Sequence, residues 1–248
     1  MIVILENKDY QDVIDQPFMS KLARKGATLT RFFAETHPSL PNYIALTSGG
    51  LHGINSNSSE IIDVSHIGDL LEAQGMTWKV YAEGFPGGCF TGAKKGNYVR
   101  KHVPFLSYRN VVGNPARCSK IVEASQLQRD IREGGLPDYA LFVPDLQNSG
   151  HDASLEHVDR WLAQTFGPLL QNSRFMKDML LVVTFDEGSR SKDNHIYTAL
   201  VGDSVKAGSV SSATYNHYNV LRTIEDAFGL GTLGRNDAGA APITGVWK

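Results

Sequence analysis

The chain has 248 residues, of which 42% are hydrophobic and 20% are charged, and its formal net charge at pH 7 is −2. This length and composition favour one large α/β domain over two small ones. The near-neutral charge provides no basic surface for a phosphate backbone, so we expect no nucleic acid partner. No apolar stretch approaches the roughly 20 residues of a membrane span, so we expect no stable membrane insertion.

Apolar periodicity and turn residues divide the chain into alternating strands and helices. The predicted strands are Ile2–Leu5, Ala27–Ala34, Thr77–Ala82, Tyr139–Val143, Leu180–Phe185 and Ile196–Val201. The predicted helices are Phe18–Arg24, a helix that Ser39 caps and Gly49 ends, Ser65–Gln74, Ser119–Arg132, Leu155 to about Leu170, and Tyr218–Phe228. Continuous apolar strands are typical of a parallel sheet buried under helices, which predicts a three-layer α/β sandwich with a central, mostly parallel sheet.

The segment from Glu83 to Pro115 has no clean period and is rich in glycine. Irregular segments of this size inside a compact domain are usually functional. We therefore expect a single domain over residues 1–248 with an irregular active-site excursion at about 83–118. A disulfide between Cys89 and Cys118 would stabilise the chain by about 3–4 kcal/mol and would indicate an oxidising compartment. Two free thiols are the alternative.

Acidic and amide side chains follow three of the predicted strands: Glu6 and Asn7 after the first, Asp145 after Tyr139–Val143, and Asp186 and Glu187 after Leu180–Phe185. In open parallel sheets, ligands bind beyond the carboxyl ends of the strands, so these groups should meet. Neighbouring strand residues point to opposite faces, so each pair can converge only where its strand breaks into a loop. Oxygen donors without thiolate or imidazole suit Mg²⁺, Ca²⁺ or Mn²⁺, and the sequence therefore predicts a metal site.

Ser39 is the candidate nucleophile. At a helix N-terminus, its oxygen lies near unpaired backbone N–H groups and the positive end of the helix dipole, which favour an alkoxide and a bound phosphate. Its oxygen would also complete a five-ligand set for the metal, which would lower the pKa of the hydroxyl. The alternative is that Ser39 only caps the helix.

The other candidate catalytic or substrate-binding residues are histidines and basic residues. His151 could be a general acid or a phosphate donor, and the alternative is a surface turn in which Asp152 caps the next helix. Each of the remaining candidates could contact a phosphate or could be an ordinary surface residue: His195, His217, Arg100, Lys101 and His102.

Taken together, the motifs resemble a phosphoesterase family that groups bacterial and fungal acid phosphatases with phospholipases C, within the alkaline phosphatase superfamily. The motifs are Glu6-Asn7-Lys8-Asp9-Tyr10, His37-Pro38-Ser39-Leu40-Pro41-Asn42-Tyr43 with Thr47-Ser48-Gly49, and Phe185-Asp186-Glu187-Gly188. The resemblance implies an alkaline-phosphatase-like fold, and it implies that Ser39 is a metal-bound nucleophile that forms a phosphoserine. It also implies a ligand role for Glu6, Asn7, Asp186 and Glu187, and it supports pairing Cys89 with Cys118.

The same resemblance extends to nucleotide pyrophosphatases, in which an asparagine soon after the nucleophile helix holds a phosphoryl oxygen. Asn57 is our first choice for that role and Asn55 the second. His151 and His217 fall where two-metal relatives place ligands of a second metal. Asp145 precedes His151 by more residues than in those relatives, so we interpret both histidines as phosphate binders or as the acid for the leaving group.

The resulting prediction is a metal-dependent phosphomonoesterase that uses one divalent ion, with Mg, Ca or Mn favoured and Zn possible. Its partner would be a small phosphate-ester substrate, which Asn57, Asn55, Arg100, Lys101, His102 and His195 could bind. A phospholipase C-type phosphodiesterase is the first alternative, and a non-catalytic protein that binds metal and phosphate is the second. A Cys89–Cys118 disulfide would indicate an oxidising compartment, so we expect a secreted or periplasmic protein, with the signal peptide absent from this chain.

Overall fold

The computed structural model describes residues 1–189 and 193–248. The strands β1 to β10 in these ranges cover Ile2–Leu5, Ala27–Phe32, Trp78–Ala82, Lys94–Lys95, Tyr98–Val99, Ile121–Glu123, Tyr139–Val143, Leu180–Phe185, Thr198–Gly202 and Ser209–Tyr215. The helices α1 to α11 cover Tyr10–Val13, Pro17–Lys25, Ser39–Ser48, Ile67–Ala73, Arg109–Val112, Pro115–Cys118, Gln126–Glu133, Leu155–Thr165, Ser173–Met176, His217–Phe228 and Asn236–Gly239.

Eight of the strands form one sheet in the order β10-β2-β9-β8-β1-β7-β3-β6. β9 runs antiparallel to both of its neighbours, and the other pairs are parallel. β1 and β7 are buried along their whole length, as the continuous apolar runs predict. The helices complete an α/β sandwich, in which α3 packs against α10 and α2 packs against α8. The predicted fold class is therefore confirmed.

Two segments near the edges of the sheet differ from the prediction. Residues 119–132 were predicted as one helix, but Ile121–Glu123 forms β6, and the helix α7 begins only at Gln126. Pairing with β3 at the sheet edge determines the conformation of this short segment, because a three-residue strand has almost no periodicity of its own. β10 was not predicted, since of its seven residues only Ser211 and Tyr215 are buried and no apolar run marks it.

The excursion at about 83–118 contains short elements rather than one irregular coil. They are the hairpin β4–β5, the 3₁₀ turns Arg100–His102 and Pro104–Ser107, and the short helices α5 and α6. Cys89 and Cys118 form a disulfide with their Cα atoms 5.4 Å apart, so the predicted pairing is confirmed. The oxidising compartment stays a prediction. Within the two described ranges, no helix combines the length and the apolarity needed to cross a membrane.

Candidate active site

The carboxyl ends of β1 and β8 bring the first acidic groups together. The two strands are parallel neighbours with Leu5 opposite Phe185, so Glu6 and Asp186 follow side by side. The Asp186 backbone N–H donates to the Leu5 carbonyl at 2.9 Å, and the Asn7 N–H donates to Asp186 Oδ1 at 3.1 Å. Asn7 has a φ of 54°, a left-handed conformation that ends the strand immediately after Glu6. The structure thus shows a strand break at which neighbouring side chains can converge.

Ser39 lies at the start of α3, but it does not cap that helix. Pro38 is the N-cap residue and Ser39 is the first helical residue, so the Ser39 hydroxyl makes no capping bond. Its Oγ instead donates towards Glu6 Oε2 at 3.1 Å and Glu187 Oε1 at 3.2 Å. Only 1% of Ser39 is exposed to solvent. The hydroxyl is therefore buried between two carboxylates that come from distant parts of the chain.

The acidic groups around Ser39 perturb one another. Burial, followed by the charges of Glu6 and Glu187, raises the pKa of Asp186 well above its ordinary value. Burial also raises the pKa of Glu187, although the neighbouring His37 partly opposes this. Burial would raise the pKa of Glu6 as well, but His102, Lys101 and Tyr43 together outweigh it and the pKa falls to about 2. Gathering these carboxyl groups out of water is unfavourable unless a proton or a cation compensates their charge.

Two buried oxygen atoms test whether this site fits a metal ion. Asn7 Oδ1 and Asp186 Oδ2 are both inaccessible to water and have no hydrogen-bond partner in the described residues. Across residues 1–189 and 193–248, no three His, Cys, Asp or Glu side chains form a metal site by themselves. A complete ligand set would therefore need Asn7 and Ser39 beside the carboxylates. Such an all-oxygen set fits a hard divalent cation.

Asn57 lies at the N-terminus of α3, as the resemblance implies. Its Oδ1 accepts a hydrogen bond from the Leu40 backbone N–H at 3.0 Å, which holds the side chain next to the serine. Since Oδ1 is used in this way, Nδ2 is the group that could donate to a substrate oxygen. Asn55 is exposed in the same loop. Asn57 is exposed as well, but of the two candidates it alone has, among the described residues, a contact that fixes it beside Ser39.

His102, Lys101 and His151 form a layer on the outer side of Glu6. His102 is buried, with Nε2 3.2 Å from Glu6 Oε2, and its ring stacks on Tyr43. Lys101 Nζ lies 3.2 Å from His151 Nε2, and His151 Nδ1 lies 2.6 Å from Asp152 Oδ1. The structure therefore brings these three predicted residues to the side of the site that carries Glu6.

Three other predicted residues have interior contacts. Arg100 donates to the backbone carbonyls of Ser59 at 2.8 Å and Leu106 at 2.7 Å, so it anchors loops. His195 stacks between two aromatic rings and contacts a backbone carbonyl through Nε2. His217 is fully buried, with Nδ1 2.5 Å from Glu35 and Nε2 3.0 Å from the Phe185 carbonyl. His217 thus supports the strand end that precedes Asp186, and both of its ring nitrogens are occupied.

Comparison with known proteins identifies the family. The model of the Phosphoesterase family matches residues 7–231. The chain belongs to this family. It is 37% identical to an acid phosphatase of Aspergillus fumigatus and 36% identical to a probable acid phosphatase of Kluyveromyces lactis, over 96% of the chain in each case. It spans only 56% and 60% of the length of these two relatives. It is also 35% identical to a phosphatidylinositol-3-phosphatase of Mycobacterium tuberculosis, over 100% of the chain and 82% of that protein.

Solved structures agree with this assignment at the level of the fold. A protein of the alkaline phosphatase superfamily from Vibrio parahaemolyticus superposes with a TM-score of 0.64, at 15% identity, over 98% of this chain and 70% of that one. A phosphonate monoester hydrolase from Silicibacter pomeroyi superposes with a TM-score of 0.62, at 12% identity, over 100% of this chain and 78% of that one. The alkaline-phosphatase-like fold is therefore shown.

Two contacts in this phosphoesterase domain were missed at the level of sequence. Tyr43 donates a short hydrogen bond from its hydroxyl to Glu6, and His37 Nδ1 makes a short contact with Glu187. Tyr43 stands four residues after Ser39, so both side chains lie on one face of α3. That spacing could have indicated that Tyr43 lies beside Ser39. No comparable signal links His37 to Glu187, because the contact depends on how β8 and the start of α3 meet.

Proposed function

We propose that this protein is a metal-dependent phosphomonoesterase, similar to acid phosphatases, that acts through a phosphoserine at Ser39. The observation that carries the proposal is the buried Ser39 hydroxyl, which lies between Glu6 and Glu187 at the N-terminus of α3. Relatives named acid phosphatase and phosphatidylinositol-3-phosphatase support it, since both names describe removal of a phosphate monoester. They favour this activity over the phosphodiesterase alternative.

Several residues would contribute to the first step of the reaction. Ser39 Oγ attacks phosphorus, and the Glu187 carboxylate, within about 3 Å, can take its proton because its pKa is raised. The N-terminus of α3 and Nδ2 of Asn57 would hold the phosphoryl oxygens, because both place N–H groups beside the serine. Attack forms a serine–oxygen–phosphorus bond and releases the alcohol, and water later cleaves the phosphoserine.

The metal would be held by Glu6, Asn7, Asp186, Glu187 and Ser39. When bound, a divalent ion supplies positive charge that stabilises the serine oxygen and the negative oxygens of the phosphoryl group. Mg²⁺, Ca²⁺ or Mn²⁺ suits this oxygen set best, and Zn²⁺ is the further candidate.

The leaving group would lie on the side of His151 and Lys101. Lys101 carries N–H groups on the outer side of Glu6, where they can donate a proton to the departing oxygen, and its contact with His151 holds it there. His217 is assigned a different role, because its ring nitrogens contact Glu35 and the Phe185 carbonyl. We propose that it positions the end of β8 rather than acting on substrate.

Hydrolysis of an aryl phosphate monoester, measured beside the matching diester, tests this proposal. The protein is first treated with a chelator and then given Mg²⁺, Ca²⁺, Mn²⁺ or Zn²⁺ in turn. We expect monoesterase activity that returns with metal, disappears in Ser39→Ala, and persists in Ser212→Ala, an exposed serine on β10. Activity on the diester alone would replace the proposal with phospholipase C-type chemistry. Metal binding without turnover of either ester would favour the binding protein.

A further inference from the structure

A hydrogen-bonded chain of side chains lies at the outer edge of the active site. Asp152 Oδ1 is 2.6 Å from His151 Nδ1, and His151 Nε2 is 3.2 Å from Lys101 Nζ. A carboxylate only accepts hydrogen bonds, so the His151 proton is on Nδ1. Nε2 of the neutral ring then accepts a hydrogen bond from the Lys101 ammonium. The chain therefore fixes the position of a positive charge, and it leaves two further N–H groups of Lys101 for a ligand.

The depth of these residues shows which part of a substrate they can contact. Ser39 is bonded to Glu6, and His102 lies beyond Glu6 with only 1% of its side chain exposed. The ring of His151 follows at 5.9 Å from the ring of His102, and 31% of its side chain is exposed. Lys101 and His151 are thus outside the layer that surrounds Ser39. With the phosphoryl group at Ser39, the leaving group is the part of a substrate that extends towards solvent, and therefore towards these two residues.

Other basic groups lie near Asp152, His151 and Lys101, although the whole protein has a net charge of −2. Lys8 Nζ donates to the carbonyl of Gly150, the residue before His151, at 2.7 Å. Lys94 and Lys95 are exposed on β4, and β5 of the same hairpin leads directly into the turn that carries Lys101. An anion that reaches Lys101 would therefore pass near other basic groups.

We propose that Asp152, His151 and Lys101 form a subsite for a second anionic group of the substrate, carried by the leaving group. The preferred substrates are then phosphomonoesters that also bear a carboxylate or another phosphate. Lys101 would contact that anion, and His151 and Asp152 would act as positioning residues. This inference rests on the proposed function for its orientation, because the phosphoryl group is taken to lie at Ser39.

Two compounds that differ in one charged group test the subsite: 3-phosphoglycerate and glycerol 3-phosphate. Binding is measured by titration calorimetry to Ser39→Ala, with Mg²⁺ present, so that neither compound is consumed. We expect 3-phosphoglycerate to bind about tenfold more tightly, which is the effect of one hydrogen bond to a charged group. Adding Lys101→Met should remove this preference, Lys101→Arg should keep most of it, and Lys206→Met, on a remote exposed lysine, should not change it.

The positioning role has its own readout in the same assay. Asp152→Ala removes the acceptor of the His151 Nδ1 proton and should reduce the preference, whereas Asp152→Asn keeps an acceptor oxygen and should preserve it. Equal binding of the two compounds, no binding of either, or a preference unchanged in Lys101→Met would each refute the subsite. Turnover by the protein with an intact Ser39 is a separate measurement. Absence of turnover would reject the proposed esterase but would leave the binding preference to decide the subsite.

Discussion

Glu225 is a buried carboxyl group that the proposed mechanism does not use. It lies in the last turns of α10, is 0% exposed, and has no hydrogen-bond partner for either side-chain oxygen in the described residues. Burial and then the charge of Asp237 raise its pKa from 4.5 to about 8. The folded protein therefore holds this proton at pH values where the unfolded chain has released it.

The sign of the effect on stability follows from this difference. Below pH 4.5 the carboxyl group is protonated in both the folded and the unfolded chain, so it causes no loss of stability. Between pH 4.5 and about 8 it ionises in the unfolded chain alone, which favours unfolding. The difference corresponds to a loss of at most about 5 kcal/mol, at about 1.4 kcal/mol for each pH unit. Water that enters around Glu225 would reduce the figure. Glu225→Gln keeps the shape of the side chain without the charge, so it should remove this loss.

Urea unfolding at pH 5 and at pH 8 measures the free energy of unfolding that this prediction concerns. Glu225→Gln should lie within about 1 kcal/mol of the unsubstituted protein near pH 5 and should be more stable at pH 8 by several kcal/mol, at most about 5. Glu133→Gln, on an exposed glutamate at the end of α7, is the matched control and should not change the pH dependence. If Glu225→Gln is destabilised equally at both pH values, the raised pKa is not what governs this site.

Three further predictions concern the active site and the excursion. Tyr43→Phe removes the hydrogen bond to Glu6 and should lower kcat/KM for an aryl phosphate about tenfold, because a hydrogen bond to a charged group contributes about 1.5–3 kcal/mol. Steady-state kinetics that match the unsubstituted protein would contradict this prediction. Replacing Cys89 and Cys118 with serine should lower the free energy of unfolding by about 3–4 kcal/mol in urea denaturation. Saturating metal at about 100 times its Kd should add about 2.7 kcal/mol to stability and raise Tm, and Asp186→Asn should weaken this response.

The sheet was predictable because its central strands are buried on both faces. β1, β7 and β8 appear in the sequence as continuous apolar runs, and the structure confirms each of them. The edge strands lack this signal. β6 is three residues long and β10 is mostly exposed, so pairing with a neighbour decides their conformation rather than any local pattern. At these two edge strands, tertiary contacts therefore outweigh the local sequence pattern. The helix predicted from Leu155 to about Leu170 was also too long, because α8 ends at Thr165.

The active site was predictable to the extent that it lies at strand ends. Glu6 and Asp186 could be placed together because parallel strands end at one edge of the sheet, whatever their separation in the chain. The partners of His217 could not be predicted, since Glu35 and the Phe185 carbonyl reach it from two other segments. The alternative for His151 was a surface turn in which Asp152 caps the next helix, but Ser154 caps α8, and the Asp152 carboxylate contacts His151 instead.

The position of Ser39 gives an independent reason to assign function to this site. A serine at the start of a helix normally stabilises it by about 1 kcal/mol as the N-cap, yet here Pro38 occupies that position and makes no side-chain cap. The Ser39 hydroxyl is instead directed at two carboxylates, and a third carboxylate beside them has a strongly raised pKa. Both features reduce the stability of the folded protein. Departures of this kind are expected at functional sites, because an arrangement selected only for stability would cap the helix and separate the acids.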